Sequence, residues 1–223
     1  IDPTSPVSGG AILGDRIRME ELATDPRIYI RSLATRNSFD GLADNLPDIL
    51  AALDGFGFTE VLLETVGVGQ VEYAVSDLVD TTLVLLPPGA GDQVQAMKSG
   101  ILEKADIYVI NKADQPGASQ LAAELRTVLK QRPTLEASWS PTIVATSIGD
   151  AASVAALDQE IDRHQAWMQE NGRWTNRRSG WRTSHVASLL SRRIGEVLDG
   201  LTPHERSQPV GALYATVLDR IGR

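Results

Sequence analysis

The sequence predicts an α/β fold built on a mostly parallel, doubly wound sheet, with a helical extension at its C-terminal end. Apolar runs in the sequence are continuous rather than alternating, as expected for parallel strands that are covered on both faces. Helical patterns separate these runs, and alternation of strand and helix is typical of this fold. Ligands of such sheets bind at the carboxyl ends of the strands, so the loops that follow the strands are the candidate sites.

The predicted elements follow one another along the chain. Strands are predicted at residues 27–32, 60–63, 81–86, 107–110 and 142–145, which are rich in apolar and β-branched side chains. Helices are predicted at residues 46–53, 93–104, 119–131 and 151–169.

The character of the sequence changes after residue 171. Residues 172–182 are predicted to be turn-rich and basic, and a helix follows whose apolar side chains share one face. That face consists of Val186, Leu190, Ile194, Val197 and Leu198. Thr202-Pro203-His204-Glu205 has the pattern of a helix start, and a final amphipathic segment covers residues 210–221. We therefore predict a main domain at residues 1–172 and a helical arm for dimerisation or docking at residues 173–223.

Composition limits the classes of partner. The chain has 223 residues, a net charge of −8 and no cysteine, so disulfides and thiolate chemistry are excluded. Its six arginines between residues 171 and 195, with no acid among them, indicate either a solvated linker followed by a helix or a segment that docks an acidic partner. No apolar run approaches the ~20 residues that span a bilayer. We expect a cytoplasmic protein that binds neither nucleic acid nor membrane.

Asn111-Lys112-Ala113-Asp114 directly follows a predicted buried strand. An aspartate carboxylate can accept hydrogen bonds from both N1–H and N2–H of guanine, and adenine offers neither donor at that place. Asn111 can bridge the base and the neighbouring loops, and the Lys112 stem can cover the ring. The alternative is an ordinary turn in which Asp114 caps the next helix.

A second polar loop, Glu64-Thr65-Val66-Gly67-Val68-Gly69-Gln70, follows the strand predicted at residues 60–63. An acid at a strand end can hold Mg²⁺, which prefers oxygen ligands. A glycine three residues later lets a backbone N–H approach a terminal phosphate. The alternative is a glycine-rich surface turn.

The first fifteen residues carry two acids, Asp2 and Asp15, within a segment rich in proline and glycine. This composition suits a mobile loop that wraps a metal–phosphate centre, although Asp2 could also cap a turn. The phosphate-loop pattern G-x-x-x-x-G-K-[ST] is absent from the sequence. Because Ile1 stands where a strand would end, we expect the chain to lack an N-terminal portion of its domain.

Together these motifs closely resemble the MeaB/ArgK/MMAA family, the GTPases that accompany adenosylcobalamin-dependent acyl-CoA mutases. The matching stretches are residues 1–19, 30–36, 61–70, 78–114 and 161–172. The resemblance implies a P-loop G-protein fold of the dimeric signal-recognition-particle/MinD class, with residues 1–172 as a G domain that lacks its phosphate-loop portion. It also implies GTP hydrolysis, a homodimer, and a chaperone role in cobalamin loading and protection of methylmalonyl-CoA mutase or a related mutase.

The resemblance further implies roles for individual residues. Asp2, Asp15 and Glu64 correspond to the acidic Mg²⁺ shell, and Asp15 and Glu64 are also the catalytic candidates. Residues 67–70, which include Gly67 and Gln70, correspond to switch II, and residues 89–98 to a further switch loop.

The resemblance also assigns the base site for GTP or GDP. Asn111, Lys112 and Asp114 correspond to the base-specificity set. Ser147 stands where the family has Thr-Ser-Ala facing guanine O6. Ile148 replaces that alanine, and its backbone N–H could still serve.

Two other functions stay open at this point. One is an ATPase or kinase associated with arginine/ornithine transport, the activity named in older annotation of relatives. The other is a dimeric scaffold that acts without nucleotide. Asp114 separates the first from a GTPase chemically, because its carboxylate favours guanine over adenine.

Overall fold

The computed structural model describes residues 19, 21–34, 46–65, 76–89, 105–131 and 138–222. After a short 3₁₀ turn at Leu22–Thr24, the helices and strands in chain order are α1 Leu46–Gly55, β1 Leu83–Leu86, β2 Ile107–Asn111, α2 Ala118–Lys130, β3 Thr142–Thr146, α3 Ala151–Glu170, α4 Arg173–Asp199, α5 Pro203–Arg206 and α6 Val210–Ile221. The predicted helix at residues 93–104 lies outside the described residues.

The three described strands form a parallel sheet in the order β1-β2-β3. Leu86 pairs with Ile110 across β1 and β2, and Asn111 pairs with Thr146 across β2 and β3. The first four residues of β2 are fully buried, which explains the unbroken apolar pattern of that strand. The predicted α/β class with a parallel sheet and C-terminal helices is confirmed.

Helix α2 packs on this sheet through one apolar stripe. Ala118, Leu121 and Leu125 recur at helical spacing and join a core cluster with Tyr108 and Ile110 of β2. The turn before α2 needs a left-handed residue, and Gly117 supplies it with φ of 92°. Strand β2, its following loop and α2 therefore form one packed unit.

Two predicted strands have no strand structure. Residues 27–32 follow a turn in which the Asp25 carboxylate accepts hydrogen bonds from the backbone and the side chain of Arg27. At residues 60–63, Val61 and Leu62 are 44% and 93% exposed. A strand requires a neighbouring strand for its hydrogen bonds, and the described residues provide none for either segment. Apolar, β-branched composition alone did not decide the structure of these segments.

The predicted turn-rich segment at residues 172–182 is wrong, because α4 already begins at Arg173. Two residues, Asn171 and Gly172, separate α3 from α4, and Gly172 has a left-handed φ of 63°. The Arg178 guanidinium lies 4.6 Å from the centroid of the Trp174 ring, one helical turn earlier. Arg178 also pairs with Asp80 at 3.5 Å, so the basic residues are part of a bonded helix rather than a solvated linker.

The chain divides into two compact units, Ile1–Arg178 and Ser179–Arg223. In the second unit, Thr202 and Glu205 form a capping box at the start of α5. Arg220 of α6 pairs with Glu205, and Arg206 donates to the carbonyl of Leu201. The use of residues 173–223 as a dimerisation or docking arm stays a prediction.

None of the helices in the described part of the chain is both long enough and apolar enough to cross a membrane.

Candidate functional site

The candidate site lies at the carboxyl ends of β2 and β3. These ends are adjacent because Asn111 and Thr146, the last residues of the two strands, are paired in the sheet. The loops that follow them enclose an open cleft of about 800 Å³. Its lining comprises residues 111–115, Ala145, residues 147–150 and Ser153. Such a position is the usual ligand site of a parallel sheet.

Asn111 ties the two loops together. Its Oδ1 accepts hydrogen bonds from the Lys112 backbone N–H at 2.9 Å and from Thr146 Oγ1 at 3.4 Å. The Ala113 N–H donates to the Thr146 carbonyl at 3.0 Å. Lys112 lies between these contacts in the left-handed region, with φ of 55°, which is uncommon for a residue with a side chain. The loop after β2 is therefore held by several bonds in a conformation that a free turn would avoid.

Asp114 lies exposed in this cleft and is held by the second loop. Its Oδ1 accepts a hydrogen bond from Ser147 Oγ at 2.7 Å. This bond, a backbone N–H bond and the nearby Lys112 charge hold the pKa of the Asp114 carboxyl below its ordinary value. Asp114 is therefore ionised at neutral pH, and its carboxylate can only accept hydrogen bonds.

The loop after β3 is closed by the start of α3. The Asp150 side chain caps α3 by accepting from the Ala152 and Ser153 N–H groups. The Ser153 hydroxyl accepts from the Ser147 N–H at 3.1 Å. Between these anchors, Ile148 is fully exposed. The sequence analysis missed Asp150 and Ser153; the available signal was an aspartate immediately before a helical pattern, with a serine three residues later.

The predicted base-site residues Asn111, Lys112, Asp114 and Ser147 all line this one cleft. Among the predicted phosphate, metal and switch residues, the described part of the chain includes Glu64 and Gly89. Glu64 is exposed and follows the non-strand segment at residues 60–63, and Gly89 has φ of 82°. Asp2, Asp15, Gly67, Gln70 and residues 90–98 of the further switch loop lie outside the described residues. Within the described ranges there is no group of three acidic or histidine side chains that could hold a metal ion. The assigned Mg²⁺ shell and switch loops stay predictions.

A separate charged cluster lies at the opposite end of β2, around Asp106. Its carboxylate accepts from the Thr82 N–H at 2.8 Å and from Arg177 at 3.3 Å, and it lies 3.4 Å from His164 Nε2. Burial raises the pKa of Asp106, but the His164 hydrogen bond and the Arg177 charge outweigh it and leave the pKa below its ordinary value. The sequence analysis did not find this cluster, which joins the sheet to α3 and α4.

Comparison with known proteins agrees with this geometry. Residues 1–199 match the family described as "Methylmalonyl Co-A mutase-associated GTPase MeaB". The chain belongs to the MeaB family. The family resemblance stated from the motifs is thus confirmed, and the matched region includes every predicted site residue of the chain.

Curated relatives of this MeaB-family chain carry GTPase or methylmalonic aciduria names. A Pyrococcus abyssi protein named "Putative GTPase" is 43% identical over 193 residues, which are 86% of this chain and 60% of that protein. A Mycobacterium tuberculosis "Probable GTPase" is 38% identical over 181 residues, covering 80% of this chain and 54% of its own length. The Mus musculus "Methylmalonic aciduria type A homolog, mitochondrial" is 35% identical over 199 residues, covering 88% and 48%. The chain therefore spans about half to three-fifths of these relatives.

Proposed function

We propose that this chain is the guanine-recognising part of a GTPase that serves a B12-dependent acyl-CoA mutase. The observation that carries the proposal is the ionised Asp114 carboxylate, exposed in the cleft and held there by Ser147. In this function the natural protein binds GTP or GDP with Mg²⁺, hydrolyses GTP, and acts as a chaperone that gates cobalamin loading and protects the mutase.

The chemistry of the cleft favours guanine. An ionised carboxylate accepts the N1–H and N2–H of guanine in a bidentate, charge-assisted pair. Adenine places an acceptor nitrogen at the N1 position and has no amino group at C2, so Asp114 would face a lone pair instead of a donor. The Ile148 N–H, in the loop beside Asp114, is the donor we assign to guanine O6. A site of this kind discriminates strongly because the wrong base leaves polar groups unpaired.

The metal and switch assignments extend the same proposal. Asp2, Asp15 and Glu64 are carboxylates, and hard oxygen ligands of this type suit Mg²⁺. When bound, Mg²⁺ would neutralise phosphate charge during transfer of the terminal phosphoryl group. We assign Gly67 and Gln70 to the loop that contacts that phosphate.

Family membership and relatives' names support the mutase partner. The family description names methylmalonyl-CoA mutase, and two kinds of relative carry GTPase and methylmalonic aciduria names. We also propose a homodimer formed through the Ser179–Arg223 unit. Its support is the set of large apolar side chains that α4 and α6 leave exposed, namely Val186, Leu190, Leu198, Val210, Tyr214 and Leu218.

Calorimetry on the 223-residue chain tests base recognition. Because the sequence has no phosphate-loop motif, we expect weak GDP binding and no GTP turnover. GDP should nevertheless bind at least about tenfold more tightly than ADP, since two charged hydrogen bonds distinguish the bases. Equal affinity for the two nucleotides would contradict the guanine site. Micromolar, Mg²⁺-dependent GDP binding would show that the phosphate-loop motif is dispensable.

The mutase role is tested with the natural full-length protein. Loss of methylmalonyl-CoA mutase activity during turnover should be slower with the protein and GTP than with the protein alone. Equal protection with and without GTP would favour the nucleotide-independent scaffold instead.

A further inference from the structure

The Ser153 hydroxyl joins the two ends of the loop at residues 147–150. It accepts from the Ser147 N–H at 3.1 Å and lies 2.6 Å from the Asp150 carbonyl oxygen. A serine hydroxyl has one hydrogen to donate, and the Asp150 carbonyl is much nearer than the Ser147 carbonyl at 3.4 Å. Ser153 therefore donates to one end of the loop while it accepts from the other.

These bonds decide which backbone donors of the loop remain available. The Ser147 N–H is taken by Ser153, and the Asp150 N–H donates to the Ser147 carbonyl at 3.0 Å. For the N–H groups of Ile148 and Gly149, the described part of the chain provides no hydrogen-bond acceptor. Both residues line the cleft that also contains Asp114, so two adjacent backbone donors without a partner among the described residues lie at this site.

Ser147 is fixed at two points by this arrangement. Ser153 holds its backbone N–H, and its hydroxyl donates to Asp114 Oδ1 at 2.7 Å. Asp114 and Ser147 are 33 positions apart, so the hydrogen bond between them depends on the placement of the whole loop. Without the Ser153 hydroxyl, the loop would lose one of the bonds that close it, and the Ser147 N–H would become a further unpaired donor.

We propose that Ser153 is a positioning residue for guanine specificity, an inference that rests on the proposed guanine site. It acts through Ser147: it keeps the Ser147 hydroxyl on Asp114 and leaves the Ile148 N–H as the donor for the guanine carbonyl. Ser153 itself does not touch the base.

An ordinary capping role would predict a different outcome. Helix α3 is already capped by Asp150, whose carboxylate accepts from the Ala152 N–H at 3.0 Å and from the Ser153 N–H at 3.3 Å. Neither bond uses the Ser153 hydroxyl. Replacing Ser153 with alanine should therefore leave α3 intact and alter only the loop.

The test is a titration of the 223-residue chain with GMP and with AMP. Binding is measured from the NMR signals of the Ser147 and Ile148 amides. Ser153→Ala should weaken GMP binding about fivefold, the effect of roughly one neutral hydrogen bond, and leave AMP binding within about twofold. Ser153→Thr keeps the hydroxyl and should retain the preference for GMP. Ser119→Ala, in the first turn of α2 and exposed, is the matched control and should change neither affinity.

Each other result contradicts the inference. If Ser153→Ala has the same ratio of GMP affinity to AMP affinity as the unaltered chain, Ser153 does not contribute to base specificity, and the proposed guanine site is unaffected. An equal loss for both nucleotides, a Ser153→Thr chain that fails to retain the preference, or unfolding of the alanine variant assigns Ser153 a structural role only. If the unaltered chain itself does not prefer GMP, the proposed guanine site and this inference both fail.

Discussion

Removal of the Asp106 carboxylate should destabilise the Ile1–Arg178 unit more than removal of any exposed acid. Asp106 accepts from Thr82 and Arg177 and lies against His164, which is only 1% exposed. The other ring nitrogen of His164, Nδ1, is hydrogen-bonded to Thr81 Oγ1 at 2.9 Å. In Asp106→Ala, the histidine, the arginine and the Thr82 N–H all lose their common partner.

The magnitude follows from how deeply these groups are buried. Breaking a buried charge pair by removing one partner costs about 3–5 kcal/mol. The Asp106 and Arg177 side chains are 16% and 26% exposed, so water partly compensates the remaining charge. We expect Asp106→Ala to lower the free energy of unfolding by about 2–4 kcal/mol. Asp106→Asn keeps an acceptor for the Thr82 N–H and should lose less.

Urea unfolding followed by tryptophan fluorescence measures this difference. The Trp139 indole N–H donates to the Asp106 carbonyl at 2.8 Å, so its emission reports on this cluster. Asp158→Ala is the control, because Asp158 is an exposed acid on α3. A loss below about 1 kcal/mol in Asp106→Ala, the range of surface ion pairs, would show that the cluster adds no more than an exposed contact.

The unaltered chain and Asp106→Ala also test how the stability contributed by Asp106 depends on pH. The folded-state pKa of Asp106 lies below the ordinary aspartate value of about 3.9. A carboxyl with a depressed folded pKa contributes stability above its unfolded pKa and loses it as the pH falls through the folded value. The difference between the unaltered chain and Asp106→Ala should thus shrink as the pH falls from about 5 to below about 4. A difference that grows over that pH range would reverse the assigned direction of the pKa shift.

Two further predictions concern the nucleotide. Asp114→Asn should lower GDP affinity at least about tenfold in calorimetry, because the charged acceptor of the two guanine donors is lost; unchanged affinity would make the loop purely structural. Glu64→Gln should lower the GTP hydrolysis rate and its Mg²⁺ dependence in the natural full-length protein, measured by phosphate release, while the preference for GDP over ADP is kept. Full hydrolysis in that variant would remove Glu64 from the mechanism.

Local pattern determined the fold class and the location of the base loop. The continuous apolar run at residues 107–110 predicted β2 to within one residue of its observed end, Asn111. Polar residues placed directly after such a strand must lie at the carboxyl edge of a parallel sheet, which is why Asn111, Lys112 and Asp114 were predicted to act together. The same logic failed at residues 27–32 and 60–63, because a strand also needs a partner that its own sequence does not specify.

Only the tertiary structure decided which distant side chains meet. Ser147 reaches Asp114 across 33 positions because β2 and β3 are paired in register, and Ser153 bonds the Ser147 N–H because α3 begins at that edge. Arg177 reaches Asp106 across 71 positions, and that bond belongs to a segment whose composition predicted turns but which forms a helix. Helical and strand periodicity depend on neighbours a few residues away, whereas these bonds depend on how strands are ordered and helices packed. The sequence therefore located the base loop, and the packing of the sheet against α3 determined which residues hold it in place.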